Sequence, residues 1–153
     1  MNVLVSCSHA EGTLDLERVR QTALFALAAL DAPETAEVSV SFVDDGEMAS
    51  LNEEYRGKQG PTDVLSFECD NLDDGFPVAE GDVFELGDVV IAPDVAARQA
   101  ADAGCDYLDE VDMLVVHGVL HLNGYDHVDP ADAEVMEPLQ DDVLRRLRES
   151  REA

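Results

Sequence analysis

Hydrophobic and polar residues follow two periods along the chain, and each period predicts a different element. Val38, Val40 and Phe42 alternate with serines, which is the two-residue period of a strand with one buried face. Residues 23–30 are apolar throughout and supply the wide hydrophobic face of a helix predicted over residues 14–30. Both kinds of segment recur further along, so the chain mixes helices with strands.

Helical and extended segments alternate along the whole length. Strands are predicted at residues 3–5, 38–43, 62–67 and 86–92. Helices are predicted at residues 14–30, 44–56, 93–104, 107–122 and 131–148, the last interrupted or restarted at Pro138. Residues 70–85 are rich in Asp, Gly and Pro and predict a loop. No repeat or linker divides the sequence. We therefore predict one layered α+β domain over residues 1–153, with a small mixed sheet of about four strands packed by about five helices.

Charge is the most unusual property of the composition. Nine Lys and Arg residues oppose 35 Asp and Glu residues in a chain of 153, which leaves a formal net charge of −26. Such a chain repels nucleic acids and anionic membranes, although a local site can still bind an anion. The hydrophobic fraction of 46% is ordinary, so the chain can bury a core and is not expected to be disordered.

The cysteines and the N-terminus indicate the compartment. Cys7, Cys69 and Cys105 are widely spaced, which predicts reduced, half-buried thiols rather than disulfides or a cysteine zinc site. The first residues lack the pattern of a signal peptide, and no apolar run approaches the roughly 18 residues of a membrane span. We expect a soluble, cytoplasmic protein.

Three of the four histidines lie within eleven residues, and their spacing predicts a metal site. His117 and His121 are four residues apart on a predicted helix, so both rings leave the same face one turn apart. Gly124 then ends the helix and turns the chain back, which returns His127 to the same point. Three imidazoles with an open fourth position suit a catalytic zinc ion. The remaining histidine, His9, is expected to be incidental.

Two other interpretations of this cluster stay open. A pair of histidines can pack on a helix face beside an unrelated third, with no metal. The spacing also matches the zinc-protease pattern His-Glu-x-x-His-x-x-Gly-x-x-His, but Gly118 stands where those enzymes have their catalytic glutamate. The pattern is therefore compatible with zinc and disfavours ordinary peptide hydrolysis.

Residues 117–127, His-Gly-Val-Leu-His-Leu-Asn-Gly-Tyr-Asp-His, resemble the signature of the YbeY family of zinc-dependent endoribonucleases. Two further segments support the resemblance. One is Leu-Asn-Glu-Glu-Tyr-Arg-Gly-Lys at residues 51–58, followed by Pro-Thr-Asp-Val-Leu-Ser-Phe at 61–67. The other is Leu-Gly-Asp-Val-Val-Ile at residues 86–91. The resemblance implies a zincin-like site that holds one zinc ion per chain.

The resemblance also implies roles for particular residues. The metal ligands correspond to His117, His121 and His127, and the family's functional arginine corresponds to Arg56. A guanidinium binds phosphate oxygens bidentately and stabilises charge that develops on phosphorus, so this role has a chemical rationale. Lys58 is expected to help Arg56 bind the substrate.

The open alternative for Arg56 is a surface salt bridge with Glu53 or another carboxylate. Asp63 and Asp88 are candidates to support the site or to act as distant bases, and each also suits a turn, cap or sheet edge. Asp126 can orient an imidazole or solvate its turn. The family often has Asp and Lys at residues 59–60, where this chain has Gln and Gly, so no role is assigned there.

The implied function is a single-strand-specific endoribonuclease in 16S rRNA 3′-end maturation and in ribosome biogenesis and quality control. Zinc would activate water or polarise the phosphate, and Arg56 would stabilise the phosphoryl charge. The implied partners are single-stranded RNA and the small ribosomal subunit or its proteins, with no membrane and no DNA. Two alternatives stay open: a metallohydrolase of another substrate class, and a non-catalytic metal-binding factor associated with the ribosome.

Overall fold

The computed structural model describes residues 1–69, 84–125 and 129–152. The strands are β1 (Asn2–Cys7), β2 (Ala36–Phe42), β3 (Val64–Glu68) and β4 (Phe84–Ile91). The α-helices are α1 (Leu16–Ala29), α2 (Asp45–Arg56), α3 (Pro93–Ala103), α4 (Tyr107–Leu122) and α5 (Pro130–Glu152). The predicted α+β class, with four strands and five helices in these residues, is confirmed. The loop predicted at residues 70–85 lies almost entirely outside the described residues.

The four strands form one mixed sheet in the order β1-β2-β4-β3. Strands β1, β2 and β4 run parallel, and β3 pairs antiparallel with β4 at the edge. Val38, Val40 and Phe42 of β2 are fully buried, whereas the serines between them are partly exposed, which confirms the predicted alternation. On β4, Val89 faces α4, and Val90 joins a smaller cluster with Met48 of α2. Helix α2 therefore packs against the sheet face opposite α4, but it leaves part of that face open, where Leu4 of β1 is 50% exposed.

Helix α4 lies at the centre of the helical layer. It packs against α1, α3 and α5 and against strands β3 and β4. Between residues 111 and 122 all but three positions are buried, and the three half-buried positions are Met113, His117 and His121. These are spaced four residues apart and form one stripe along the helix. The packing of α4 thus leaves a single accessible stripe, and two of its three residues are histidines.

A buried carboxylate joins three helices of this layer. Asp112 of α4 is 5% exposed and accepts hydrogen bonds from Arg18 of α1 at 2.8 Å and from Arg151 of α5 at 2.6 Å. The Thr22 hydroxyl of α1 donates to the same carboxylate at 2.9 Å. Hydrogen bonding to Asp112 raises the pKa of the Arg18 guanidinium above its ordinary value, so the arginine stays protonated. The network holds α1, α4 and α5 together at one point.

Two expectations are corrected by the structure. Helix α5 continues through Pro138 instead of breaking there. This proline is exposed, so water can solvate the carbonyl that loses its helical N–H partner. Cys69 and Cys105 are exposed rather than half-buried, and only Cys7 has the expected partial burial. None of the helices in the described part of the chain has the length and apolar character that crossing a membrane requires.

Replacing Asp112 with Ala is expected to lower the free energy of unfolding by about 3 kcal/mol, because two guanidinium groups lose a buried partner. Asp109→Ala is the matched control. Asp109 pairs with the same Arg18 but is 56% exposed, so its loss should cost less than about 1 kcal/mol. Urea denaturation followed by circular dichroism measures both variants. Equal losses in the two variants would contradict the assignment of a buried, stabilising network.

Candidate active site

His117 and His121 face each other on the accessible stripe of α4. Their ring centroids are 4.6 Å apart, and their Nε2 atoms are 3.1 Å apart. Two imidazole lone pairs at this distance repel each other unless a proton or a metal ion lies between them. The four-residue spacing therefore places both rings on the same face of α4, as predicted, and brings their Nε2 atoms to a common point.

The separation of the two nitrogens also fits a shared metal ion. Tetrahedral zinc binds imidazole nitrogen at about 2.0–2.1 Å, which places two ligand nitrogens about 3.3 Å apart. The observed Nε2 to Nε2 distance of 3.1 Å is close to that value. On the other side of the first ring, His117 Nδ1 lies 2.7 Å from Oε1 of Gln140. The chemistry and the spacing of this donor pair therefore fit zinc.

The third predicted ligand lies outside the described residues. His127 and its neighbour Asp126 both fall in the gap between residues 125 and 129. Among the residues that the structure describes, no three His, Cys, Asp or Glu side chains are close enough to hold a metal ion. The turn predicted after α4 is present, since Gly124 has a φ of +92°, a conformation that favours glycine. The zincin-like site with three histidines stays a prediction.

A cavity of about 790 Å³ opens beside the histidine pair. Arg56 at the end of α2, residues of β3 and residues of α5 line the cavity together with His117 and His121. In residues 1–69, 84–125 and 129–152, no carboxylate lies within salt-bridge distance of the Arg56 guanidinium, so the alternative pairing with Glu53 is not formed. The arginine and the two histidines singled out in the sequence therefore share one cavity.

The other candidate residues have different surroundings. Lys58 is exposed on the loop after α2 and is not among the described residues that line the cavity. Asp63 lines the cavity, but its Oδ1 accepts the backbone N–H of the next residue at 2.7 Å, which orders the start of β3. Asp88 lies in a second hollow on the sheet face opposite α4. His9 pairs with Asp94 at 2.8 Å.

Sequence reasoning missed Glu68 at the end of β3 and two further polar residues of the cavity, Glu137 and Gln140. Glu137 and Gln140 belong to α5, which follows the histidine motif and has no recognisable motif of its own. The helical period does contain a signal for one of them. Met136 and Leu144 are buried and lie four residues on either side of Gln140, so all three share the inward face of α5.

Gly118 lies where α4 packs directly on the sheet. A Cβ atom at this position would approach Val89 Cγ1 to 2.5 Å and Ser66 Oγ to 3.3 Å. The Gly118 carbonyl also accepts a hydrogen bond from Ser66 Oγ at 3.1 Å. A glutamate side chain has no room here and would be directed at the sheet. The departure from the zinc-protease pattern is therefore required by packing.

Fold and site together define an α+β protein in which one cavity joins a pair of helix-borne histidines to an arginine. The profile of the family described as Endoribonuclease YbeY matches residues 6–148. A protein named Endoribonuclease YbeY from Thermobifida fusca is 46% identical over 138 residues, which cover 90% of this chain and 89% of that protein. This chain belongs to the YbeY endoribonuclease family.

Other relatives give the same result. The Endoribonuclease YbeY of Parvibaculum lavamentivorans is 43% identical over 150 residues, covering 96% of this chain and 80% of that protein. Among solved structures, the solution structure of TM1509 from Thermotoga maritima is similar, with a TM-score of 0.55 and 25% sequence identity. That similarity covers 97% of this chain and 93% of the other, so it extends over the whole α+β arrangement.

Gly118→Ala is expected to destabilise the protein by about 1–3 kcal/mol, because the new methyl group overlaps Val89 at the interface between α4 and β4. In the double variant with Val89→Ala the two changes should compensate, with a coupling energy above about 0.5 kcal/mol. Gly46→Ala in α2 is the control, since its Cβ would meet only an ordinary contact at 3.5 Å. That change should be neutral or stabilising by less than about 1 kcal/mol. Chemical denaturation of the four variants measures these effects, and strict additivity at residues 118 and 89 would refute the packing argument.

Proposed function

We propose that this protein is a metal-dependent endoribonuclease that cleaves single-stranded RNA in the cavity between α2, α4 and α5. The observation that carries the proposal is the shared cavity: an arginine without a carboxylate partner among the described residues lines it beside two facing imidazoles. Membership of the YbeY endoribonuclease family supports RNA as the substrate.

We assign one zinc ion per chain to His117, His121 and His127. The first two are supported by the facing Nε2 atoms, and the third by its position after the turn at Gly124. A zinc ion bound there supplies Lewis acidity, which polarises a phosphoryl oxygen or makes a water molecule more acidic. The half-buried rings hold their donors in place before any ion binds, because α4 is packed on both sides of the stripe.

Arg56 is assigned to bind the phosphate and to stabilise the negative charge that develops on it. Its side chain is exposed on the cavity wall, so an incoming phosphate displaces water rather than an internal carboxylate. A planar guanidinium can donate two parallel hydrogen bonds to phosphate oxygens. Lys58 follows two residues later and is assigned to attract the substrate from outside the cavity, as an exposed charge.

The biological substrate is assigned to ribosomal RNA, with maturation of the 3′ end of 16S rRNA as the step, in the cytoplasm. The net charge of −26 opposes the approach of free RNA, so affinity for a naked strand should be weak. The same charge favours contact with basic proteins, and the small ribosomal subunit or its proteins can therefore present the RNA to the site.

Hydrolysis of peptides is disfavoured by the packing of the site. Residue 118 has no room for the carboxylate that serves as general base in zinc proteases with this spacing. The cavity does contain other carboxylates, Asp63, Glu68 and Glu137, but these come from the start and end of β3 and from α5 rather than from the metal-binding helix. A phosphodiester also has anionic oxygens for Arg56 to bind, which a peptide bond lacks.

The purified protein is expected to contain close to one zinc ion per chain. His117→Ala and His121→Ala should each remove most of it, because each deletes one of two facing donors, and His127→Ala tests the third ligand. His9→Ala is the control. His9 pairs with Asp94 away from the cluster, so this variant should leave the zinc content unchanged. Elemental analysis after dialysis measures zinc. Full zinc content in all three cluster variants would exclude this assignment.

Arg56→Ala is expected to slow cleavage of a single-stranded RNA on the order of 100-fold, because the charge that stabilises the phosphoryl group is lost. Arg56→Lys should recover part of the rate, since a lysine supplies charge without the bidentate geometry. Arg148→Ala, which removes an exposed arginine of α5, should cleave normally. A gel assay with a labelled oligonucleotide measures the rates. Zinc-loaded Arg56→Ala protein that cleaves at the normal rate would rule out this role.

A further inference from the structure

The contact between α5 and the first histidine suggests a role for an amide that has none in the proposal above. Gln140 is half-buried on the inward face of α5, and its Oε1 lies 2.7 Å from Nδ1 of His117. An amide oxygen can only accept a hydrogen bond, so the ring nitrogen that faces it must carry a proton. A neutral imidazole has one N–H, which leaves a lone pair on His117 Nε2, the atom that faces His121.

We infer that Gln140 is a positioning residue that fixes the tautomer and the ring orientation of His117 so that Nε2 is ready to bind a metal ion. The inference rests on the proposed function in one respect, namely that His117 is a metal ligand. Metal-binding histidines commonly donate their other ring N–H to an oxygen acceptor, which orients the ring and stabilises the ligating form. The short contact with Gln140 supplies this acceptor before any metal ion is bound.

The backbone around Gln140 is well anchored. Met136 and Leu144, one turn before and one turn after it, are 1% and 6% exposed, so both sides of the amide are fixed in the core. Further along the same helix, Arg151 binds the buried Asp112 of α4. Helix α5 therefore contacts α4 both at the carboxylate and at the histidine, and this arrangement limits how far the amide can move from the ring.

A neutral acceptor also suits the charges of this cavity. Asp63, Glu68 and Glu137 already line it, and Arg56 is the cation assigned to the substrate. A further carboxylate at residue 140 would compete with phosphate for the guanidinium, whereas an amide orients the imidazole without adding charge. The choice of glutamine thus keeps the arginine available.

The first measurement is zinc affinity, determined by competition with a chromophoric chelator. Gln140→Leu keeps the approximate size of the side chain but removes the acceptor, and it should weaken zinc binding roughly 10- to 100-fold. Gln140→Glu restores an acceptor and should bind zinc at least as tightly as the unmodified protein. Gln21→Leu is the matched control and should not change affinity, since this exposed amide of α1 donates to Glu17 within its own helix.

The second measurement needs neither zinc nor activity. Nitrogen-15 NMR of the metal-free protein reports which ring nitrogen of His117 is protonated. We expect the Nδ1–H form in the unmodified protein and in Gln140→Glu, and a mixture of both forms in Gln140→Leu. The thermal unfolding midpoint of each variant shows whether the protein is still folded, so that a lost ring orientation of His117 can be distinguished from unfolding.

The outcomes distinguish this inference from the proposed function. If the unmodified protein binds zinc and cleaves RNA, but Gln140→Leu keeps both the affinity and the Nδ1–H form, the positioning role is wrong and the proposed function stands. If the unmodified protein binds no zinc, the metal assignment fails. In that case, an Nδ1–H form that depends on Gln140 would show that Gln140 controls the tautomer of His117. The inference that this tautomer prepares Nε2 to bind a metal ion would be overturned.

Discussion

The direct packing of helix α4 on strands β3 and β4 is the constraint on which the rest of the structure depends. It is possible because residue 118 has no side chain, so that Val89 fills the space that a Cβ would occupy. The Gly118 carbonyl accepts a hydrogen bond from the Ser66 hydroxyl of β3, which fixes the rotation of the helix about its own axis. Once that rotation is fixed, positions 117 and 121 can only face the cavity. Gly118, which replaces the catalytic glutamate of the zinc-protease pattern, thus also makes His117 and His121 face the cavity.

Electrostatics explains how nine cationic residues are distributed in a chain with 35 acidic ones. Arg18 and Arg151 are used for stability, because the buried Asp112 would otherwise be an uncompensated charge in the core. Arg98 pairs with the exposed Asp45 at the surface. Arg56 has no carboxylate within salt-bridge distance among the described residues, although acidic side chains are abundant. A guanidinium kept apart from carboxylates in such a chain remains available to an external anion, which is the property that an RNA-cleaving site requires.

Much of this arrangement could be predicted from local patterns. The alternation in β2 and the four-residue spacing of His117 and His121 depend on neighbours in sequence, and both predictions are confirmed. The strand order and the network around Asp112 could not be predicted, because they depend on partners far apart in sequence, up to 94 residues for Arg18 and Asp112, that no periodicity relates. Pro138 was misread because the rule against proline in helices is a local preference, and the core packing of Met136 and Val143 on either side of it overrides that preference. The role inferred for Gln140 could not be predicted for the same reason, since it depends on a contact between two different helices.

The buried network and the site are properties of the same two helices. Asp112 and His117 lie on α4, and their partners Arg151 and Gln140 lie on α5. A shift of α5 along α4 would have to break both contacts at once, and breaking the first leaves the buried Asp112 carboxylate with Arg18 of α1 as its remaining cation. The free energy that holds the helices in register therefore also holds the amide against the imidazole. Stability and the orientation of His117 are thus coupled through the same pair of helices.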